Sequence, residues 1–213
     1  MEQVKLSPRA ILTMIKAIIF DLNGVFIESE PLSRRFEERY GVPNEEFVAV
    51  LKEIMPKVRV PDGDSVFSYW KPHLEKWGVK ITEQDFLDFW FSGERIAPEM
   101  IDYAHKLRGG GVFVFILSNN FRERTEYYRT HFPELFLNAD AVYFSWETGF
   151  LKSDARAYRS VLERHDLEPD EVIYFDDSQE NINLAHSLGI DAHLWEGIET
   201  ARLYIAQIKH EIH

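Results

Sequence analysis

The chain predicts an α/β protein built on a doubly wound parallel sheet, with a helical segment inserted early. Two observations carry that expectation. Four short apolar runs each end on a polar residue: Ala17-Ile18-Ile19-Phe20 before Asp21, Val112 to Leu117 before Ser118, Ala141 to Phe144 before Ser145, and Val172 to Phe175 before Asp176. Helix-like periodic stretches lie between the runs, and strand alternating with helix is the pattern of a parallel sheet covered on both faces.

The runs are short and rich in β-branched and aromatic residues, which favours buried strands over helix. Helices are expected over Pro98 to Leu107, Phe121 to His131, Asp154 to His165, and Asn181 to Leu188, the last stopped by Gly189. Gly109-Gly110-Gly111 reads as the turn into the second strand, not as a phosphate loop. Between the first and second strands lies far more chain than a crossover helix needs. The stretch is helical in pattern. Asn44 reads as an N-cap ahead of Phe47, Val50, Leu51, Ile54 and Met55, and Thr82 as the cap of a helix holding Phe86, Phe89 and Trp90. The expected division is a core of residues 14–27 and 95–213, a helical insertion of residues 28–94, and an N-terminal extension of residues 1–13.

Composition narrows the function. Of 213 residues, 45% are hydrophobic, ample for a core, and the 36 acidic against 24 basic residues give a net charge of -12. With no long basic run, that balance argues against nucleic acid or an anionic membrane as partner and for a small ligand. There is no cysteine, so thiolate nucleophiles and thiolate metal sites are excluded. No stretch has the length to span a bilayer and the start lacks a signal-peptide pattern, so a cytoplasmic location is the default expectation.

In doubly wound sheets ligands bind at the carboxyl ends of the strands, which is where Asp21, Ser118 and Asp176 fall. In Asp21-Leu22-Asn23-Gly24-Val25 the first carboxylate leaves the strand end and Gly24 permits a tight turn. Asp176-Asp177 at another strand end could join Asp21 around a hard cation, and such oxygen ligands suit magnesium. Ser118-Asn119 offers a hydroxyl and helix-start N–H groups to phosphoryl oxygens, and Lys152 adds a positive charge. The eight histidines show no metal-ligand spacing. Arg34, Arg35, Arg122 and Arg124 are weaker candidates for an anionic substrate, and Trp70, Trp77, Trp90 and Phe91 read first as the core of the insertion.

The order strand-Asp21-x-x-Gly24, strand-Ser118-Asn119, Lys152, strand-Asp176-Asp177-x-x-x-Asn181 resembles the four motifs of the haloacid dehalogenase-like (HAD) superfamily. The resemblance covers nearly the whole core. Its final motif is most similar to sugar-phosphate phosphatases and the phosphatase domain of soluble epoxide hydrolases, and the insertion lies where the superfamily carries a helical cap on a Rossmann-like core. The resemblance implies a Mg2+-dependent phosphatase or phosphotransferase for a small phosphorylated metabolite, a sugar phosphate among the candidates. Asp21 would be the phosphorylated nucleophile, Asn23 would stand at the acid/base position, and Ser118, Asn119 and Lys152 would bind the phosphoryl group. Asp21, the Asn23 carbonyl, Asp176 and Asp177 would serve the metal, with Asp177 the direct ligand of the last two.

Two positions depart from the pattern. Ser153 stands where a proline usually follows the lysine. Asn23 stands where the superfamily's phosphatases carry the second Asp, and an amide trades no proton at neutral pH. Acid–base catalysis commonly supplies about 10²–10⁴ in rate. Three explanations stay open: an engineered trap, a natural weak or inactive relative, and rescue by a carboxylate such as Glu28 or Glu30. A non-catalytic phosphate-binding module is therefore the alternative function. A dehalogenase reading ranks lower, because halide displacement has no use for the Asp176-Asp177 pair.

Overall fold

The computed structural model describes residues 15–210. The expected extension over residues 1–13 lies outside them. A five-stranded sheet forms the centre, in the order β5 (Ala141–Phe144), β4 (Phe113–Ser118), β1 (Ala17–Phe20), β6 (Val172–Asp176), β7 (Asp191–Leu194), with every pairing parallel. The chain steps outward from β1 to β4 and β5, then returns past β1 to β6. β1 is therefore where the strand order reverses, and the crevice at its carboxyl end is the one such a sheet offers to ligands.

Each central strand sends alternate residues to opposite faces. Ile18, Phe20, Val114, Ile116, Ile173 and Phe175 pack on one side against α5 (Pro98–Gly109), α6 (Arg122–His131) and α11 (Ile198–His210). Ala17, Ile19, Phe115, Leu117, Val172 and Tyr174 pack on the other against α9 (Ala155–Arg164) and α10 (Gln179–Ser187). Burial on both faces is why these strands are apolar almost throughout. Two short helices, α7 (Pro133–Leu137) and α8 (Ser145–Thr148), flank β5.

The insertion rises on a two-stranded antiparallel ribbon, β2 (Ile27–Ser29) and β3 (Glu94–Ile96), and holds four helices: α1 (Leu32–Tyr40), α2 (Asn44–Val58), α3 (Val66–Lys76) and α4 (Glu83–Phe91). They enclose their own aromatic core. Phe36, Phe47, Trp70 and Phe86 are fully buried, and Trp70 stacks on Phe47 at 4.5 Å between ring centroids. Burying each such side chain contributes roughly 1.5–3 kcal/mol. Trp90 and Phe91 belong to the same cluster, as their core reading expects.

Thr82 caps α4 as expected, accepting from the Asp85 N–H at 3.2 Å. Asn44 does not cap α2. It is the first helical residue, Pro43 occupies the cap position, and the Asn44 N–H donates instead to Glu37 Oε1 at 3.3 Å. β7 and the β2–β3 ribbon are additions to the expected strands. Gly189, at φ +87°, does end α10.

Candidate active site

The carboxyl ends of β1, β4 and β6 bring together most of the residues that the sequence marks. Asp21 continues β1 and donates its N–H to the Phe175 carbonyl at 2.9 Å, which ties it to β6. The turn after it is closed by backbone bonds: Phe26 N–H to Leu22 O at 2.8 Å, Ile27 N–H to Leu22 O at 3.0 Å, and Gly24 N–H to Ile27 O at 2.8 Å. Gly24 has φ +84°, a backbone conformation that favours glycine, and a Cβ there would approach an Asp177 oxygen to 3.3 Å, a tight contact that this side chain would have to relieve.

Lys152 is the electrostatic hub. Its ammonium lies 2.7 Å from Asp21 Oδ1 and 2.6 Å from Asp176 Oδ2, with all three groups buried. The loop carrying it is pinned by the Lys152 N–H, which donates to Asn119 Oδ1 at 2.8 Å. Burial pushes the Asp21 carboxyl up to about 6, against the pull of Lys152 and with the charge of Asp176 adding to the rise. Burial alone would lower Lys152, but Asp21 and Asp176 outweigh it and raise its pKa.

Asp176 is saturated with donors. Oδ2 accepts from Lys152 and from the Tyr174 hydroxyl, and Oδ1 accepts from the Ser178 N–H at 2.8 Å and from Asn181 Nδ2 at 3.0 Å. The Asn181 bond is the physical reason for the Asp-Asp-x-x-x-Asn spacing. Asp177, in contrast, is exposed. One oxygen each from Asp21, Asp176 and Asp177 lies within 4.8 Å of the others, so a hard cation fits the donor set. The same end of the sheet holds an orphan. Ser118 Oγ is sealed from solvent without a hydrogen-bond partner, an arrangement that costs free energy until an acceptor arrives.

Asn23 sits in a different setting. Its Nδ2 donates to the Tyr128 hydroxyl at 2.8 Å, and its Oδ1 accepts from Asn120 Nδ2 at 3.4 Å. Tyr128 is fully buried, and burial drives its pKa far above the ordinary phenol range. Arg124 lies over the Tyr128 ring at 5.6 Å and pairs with Glu94 at 2.7 Å. Neither carboxylate considered as a rescue reaches this point: Glu28 is exposed on β2, and Glu30 is exposed and paired with Arg95 at 3.0 Å.

Three of the four weaker arginine candidates have structural employment, and Arg34 is exposed on α1. Arg35 donates to the Phe89 and Trp90 carbonyls at 2.6 and 3.1 Å, tying α1 to the end of α4. Arg122 donates to the Pro61 carbonyl at 3.5 Å and lies over Trp146. Arg124 is neutralised by Glu94. Tyr128, Asn120 and Tyr174 are site neighbours that sequence reading missed, since no motif marks them. Asn120 had one signal, its place directly after Ser118-Asn119.

Comparison with known proteins gives the same frame. The family model described as haloacid dehalogenase-like hydrolase matches residues 15–189. A bifunctional epoxide hydrolase 2 of Sus scrofa is 26% identical over 211 residues, covering 88% of this chain but only 37% of that protein. A phosphorylated carbohydrates phosphatase of Thermotoga maritima is 26% identical over 188 residues, covering 83% of each. Among solved structures, a HAD family enzyme of Bacteroides thetaiotaomicron, crystallised with magnesium and inorganic phosphate, superposes with a TM-score of 0.73 at 22% identity, covering 89% of this chain and 99% of that one.

Proposed function

The chain belongs to the haloacid dehalogenase-like hydrolases, and from that premise we propose that it is a magnesium-dependent phosphomonoesterase for a small phosphorylated metabolite, working through phospho-Asp21. The observation that carries this reading is the Lys152 ammonium bridging Asp21 and Asp176 beside the oxygen cluster completed by Asp177. The magnesium and phosphate in the Bacteroides structure and the carbohydrate phosphates in the Thermotoga protein's name support the same class.

Asp21 attacks phosphorus through a carboxylate oxygen, and the ester P–O bond breaks. Water then attacks the aspartyl phosphate, freeing inorganic phosphate and the Asp21 carboxylate. Lys152 holds Asp21 in place and lowers the cost of bringing a phosphoryl dianion beside it. Ser118 Oγ and the N–H groups at Asn119 meet the phosphoryl oxygens. A cation held by Asp21, the Asn23 carbonyl and Asp177 would offset the negative charge gathered at the site. Asp177 is the better direct ligand, because both oxygens of Asp176 already accept hydrogen bonds.

Asn23 can donate an N–H to a leaving oxygen but cannot surrender a proton, so the leaving group takes its proton from water. A second reading, a phosphate-binding module with negligible turnover, draws on the same residue, whose amide is engaged by the Tyr128 hydroxyl and the Asn120 carboxamide. Magnesium-dependent hydrolysis of p-nitrophenyl phosphate by the chain and by Asp21→Asn separates these. The enzyme reading expects activity that disappears in the variant. Equal rates in the two proteins would remove the mechanism, and background rates in both, with magnesium-dependent phosphate binding retained, would favour the binding module.

A further inference from the structure

The inserted helices leave a cleft of about 1250 Å³ between α1, α3 and α4, on the scale of small-molecule sites. Every residue that lines it belongs to the insertion, and none is among those gathered at the strand ends. The connection from α3 to α4 shapes one wall. α3 stops at Lys76, Gly78 turns the chain at φ +71°, and the Val79 N–H closes the turn on the Leu74 carbonyl at 2.9 Å. Arg35 fixes another part of the wall. Its guanidinium donates to Ser92 Oγ at 2.7 Å as well as to the Phe89 and Trp90 carbonyls, and a Cβ on Gly93 would lie 2.2 Å from one of its nitrogens.

The charge of the cleft runs against that of the chain. The protein carries a net charge of -12, yet four cationic side chains line the cleft, Arg35, Arg39, Lys71 and Lys80, against two carboxylates, Glu75 and Asp85. Asp85 is engaged at the start of α4, where the Thr82 hydroxyl donates to it at 2.6 Å. Arg39, Lys71 and Lys80 are exposed and, among the described residues, form no salt bridge. Arg35 and Arg39 lie one turn apart on α1, a like-charge spacing that costs a helix stability.

Scattered surface cations are ordinarily just solvated. Here they surround apolar walls: Tyr40, Phe67 and Phe89 are half-buried along the cleft, beside the buried Leu74 and Val79. Rings supply contact area for a flat apolar body, and unpaired cations supply charge-assisted bonds to an anionic group. We propose that this cleft is a second binding site, separate from the phosphoryl site at the strand ends, and that it takes a small aromatic anion. A neutral aromatic compound would use the rings alone, and an inorganic anion the charges alone. The site stands independently of the phosphatase reading, because none of its residues serves Asp21.

Two probes with the same aromatic frame, 8-anilinonaphthalene-1-sulfonate and N-phenyl-1-naphthylamine, differ by one sulfonate. Titration of the full chain, followed by probe fluorescence, should show saturable binding of the sulfonate about tenfold or more tighter than of the neutral probe, the scale of a charge-assisted contact. The double change Arg39→Glu and Lys71→Glu, at exposed positions, should weaken the sulfonate by about tenfold or more and the neutral probe by less than about twofold. Lys80→Gln alone should act in the same direction by about threefold. Asp21→Asn should leave both affinities within about twofold. Thermal melting checks that each variant folds. Absence of saturable binding, absence of a preference for the sulfonate, or an affinity that survives the charge changes overturns the proposal. So does a larger shift in Asp21→Asn, which would put the probe at the strand ends instead.

Discussion

Asp21 and Asn23 are two residues apart in one turn, yet the structure gives them opposite surroundings. Asp21 is buried against an ammonium that also holds a second carboxylate, so its neighbourhood is dense in charge and its position is over-determined. Asn23 is held by a phenol and a carboxamide, neutral groups that orient an amide and offer it no proton. One half of the site is equipped for nucleophilic attack and metal binding. The other half is equipped to place a polar group without titrating it. On the proposed reading, binding a phosphoryl group and trading a proton are separable, and each change below acts on one half.

The largest effect belongs to the charged half. Asp21→Asn should reduce aryl phosphate turnover to the background rate, since no other carboxylate occupies its place at the end of β1; retained turnover would break the comparison at its root. Next, Asn23→Asp restores a group able to transfer protons. It should raise turnover of an alkyl phosphate by about 10²–10⁴. An unchanged rate would mean that the Tyr128–Asn120 setting disables an acid as well as an amide.

Lys152→Met leaves Asp21 and Asp176 as buried carboxylates without their shared cation. Breaking such a pairing costs about 3–5 kcal/mol, to be read by urea unfolding in the absence of magnesium. A loss below 1 kcal/mol would show that the charges are far better solvated than their burial indicates. The smallest effect is on the neutral half. Tyr128→Phe removes one buried hydroxyl that accepts from Asn23, and should cost about 0.5–1.5 kcal/mol with the fold intact.

Much of this site was legible in the chain because its residues directly follow buried strands. Continuous apolar runs ending at Asp21, Ser118 and Asp176 mark both the strand and the place where it opens to a ligand. The sheet edge was harder to read: in β7, Asp191 and His193 are polar and only half buried, so the strand lacks the run that marked the others. The β2–β3 ribbon strands are three residues each, too short for a period to show. Tyr128 and Asn120 lie about 100 residues from Asn23 along the chain. Such roles arise from tertiary placement, which local pattern does not carry. Asn44 shows the converse: a good capping residue one position too late, because Pro43 already presets the backbone at the helix start.

The central claim is that Asp21 takes up the phosphoryl group while Asn23 fails to serve as acid or base. The measurement that tests it most directly is peptide mass spectrometry after mixing the chain with p-nitrophenyl phosphate and magnesium and quenching in acid. The nitrophenolate leaves without needing a proton, whereas hydrolysis of the aspartyl phosphate lacks its base, so the adduct should accumulate. The account predicts a phosphoryl group on the peptide containing Asp21, absent in Asp21→Asn and short-lived in Asn23→Asp. A chain that releases nitrophenol in step with magnesium but carries its phosphoryl group elsewhere, or never carries one, would contradict it.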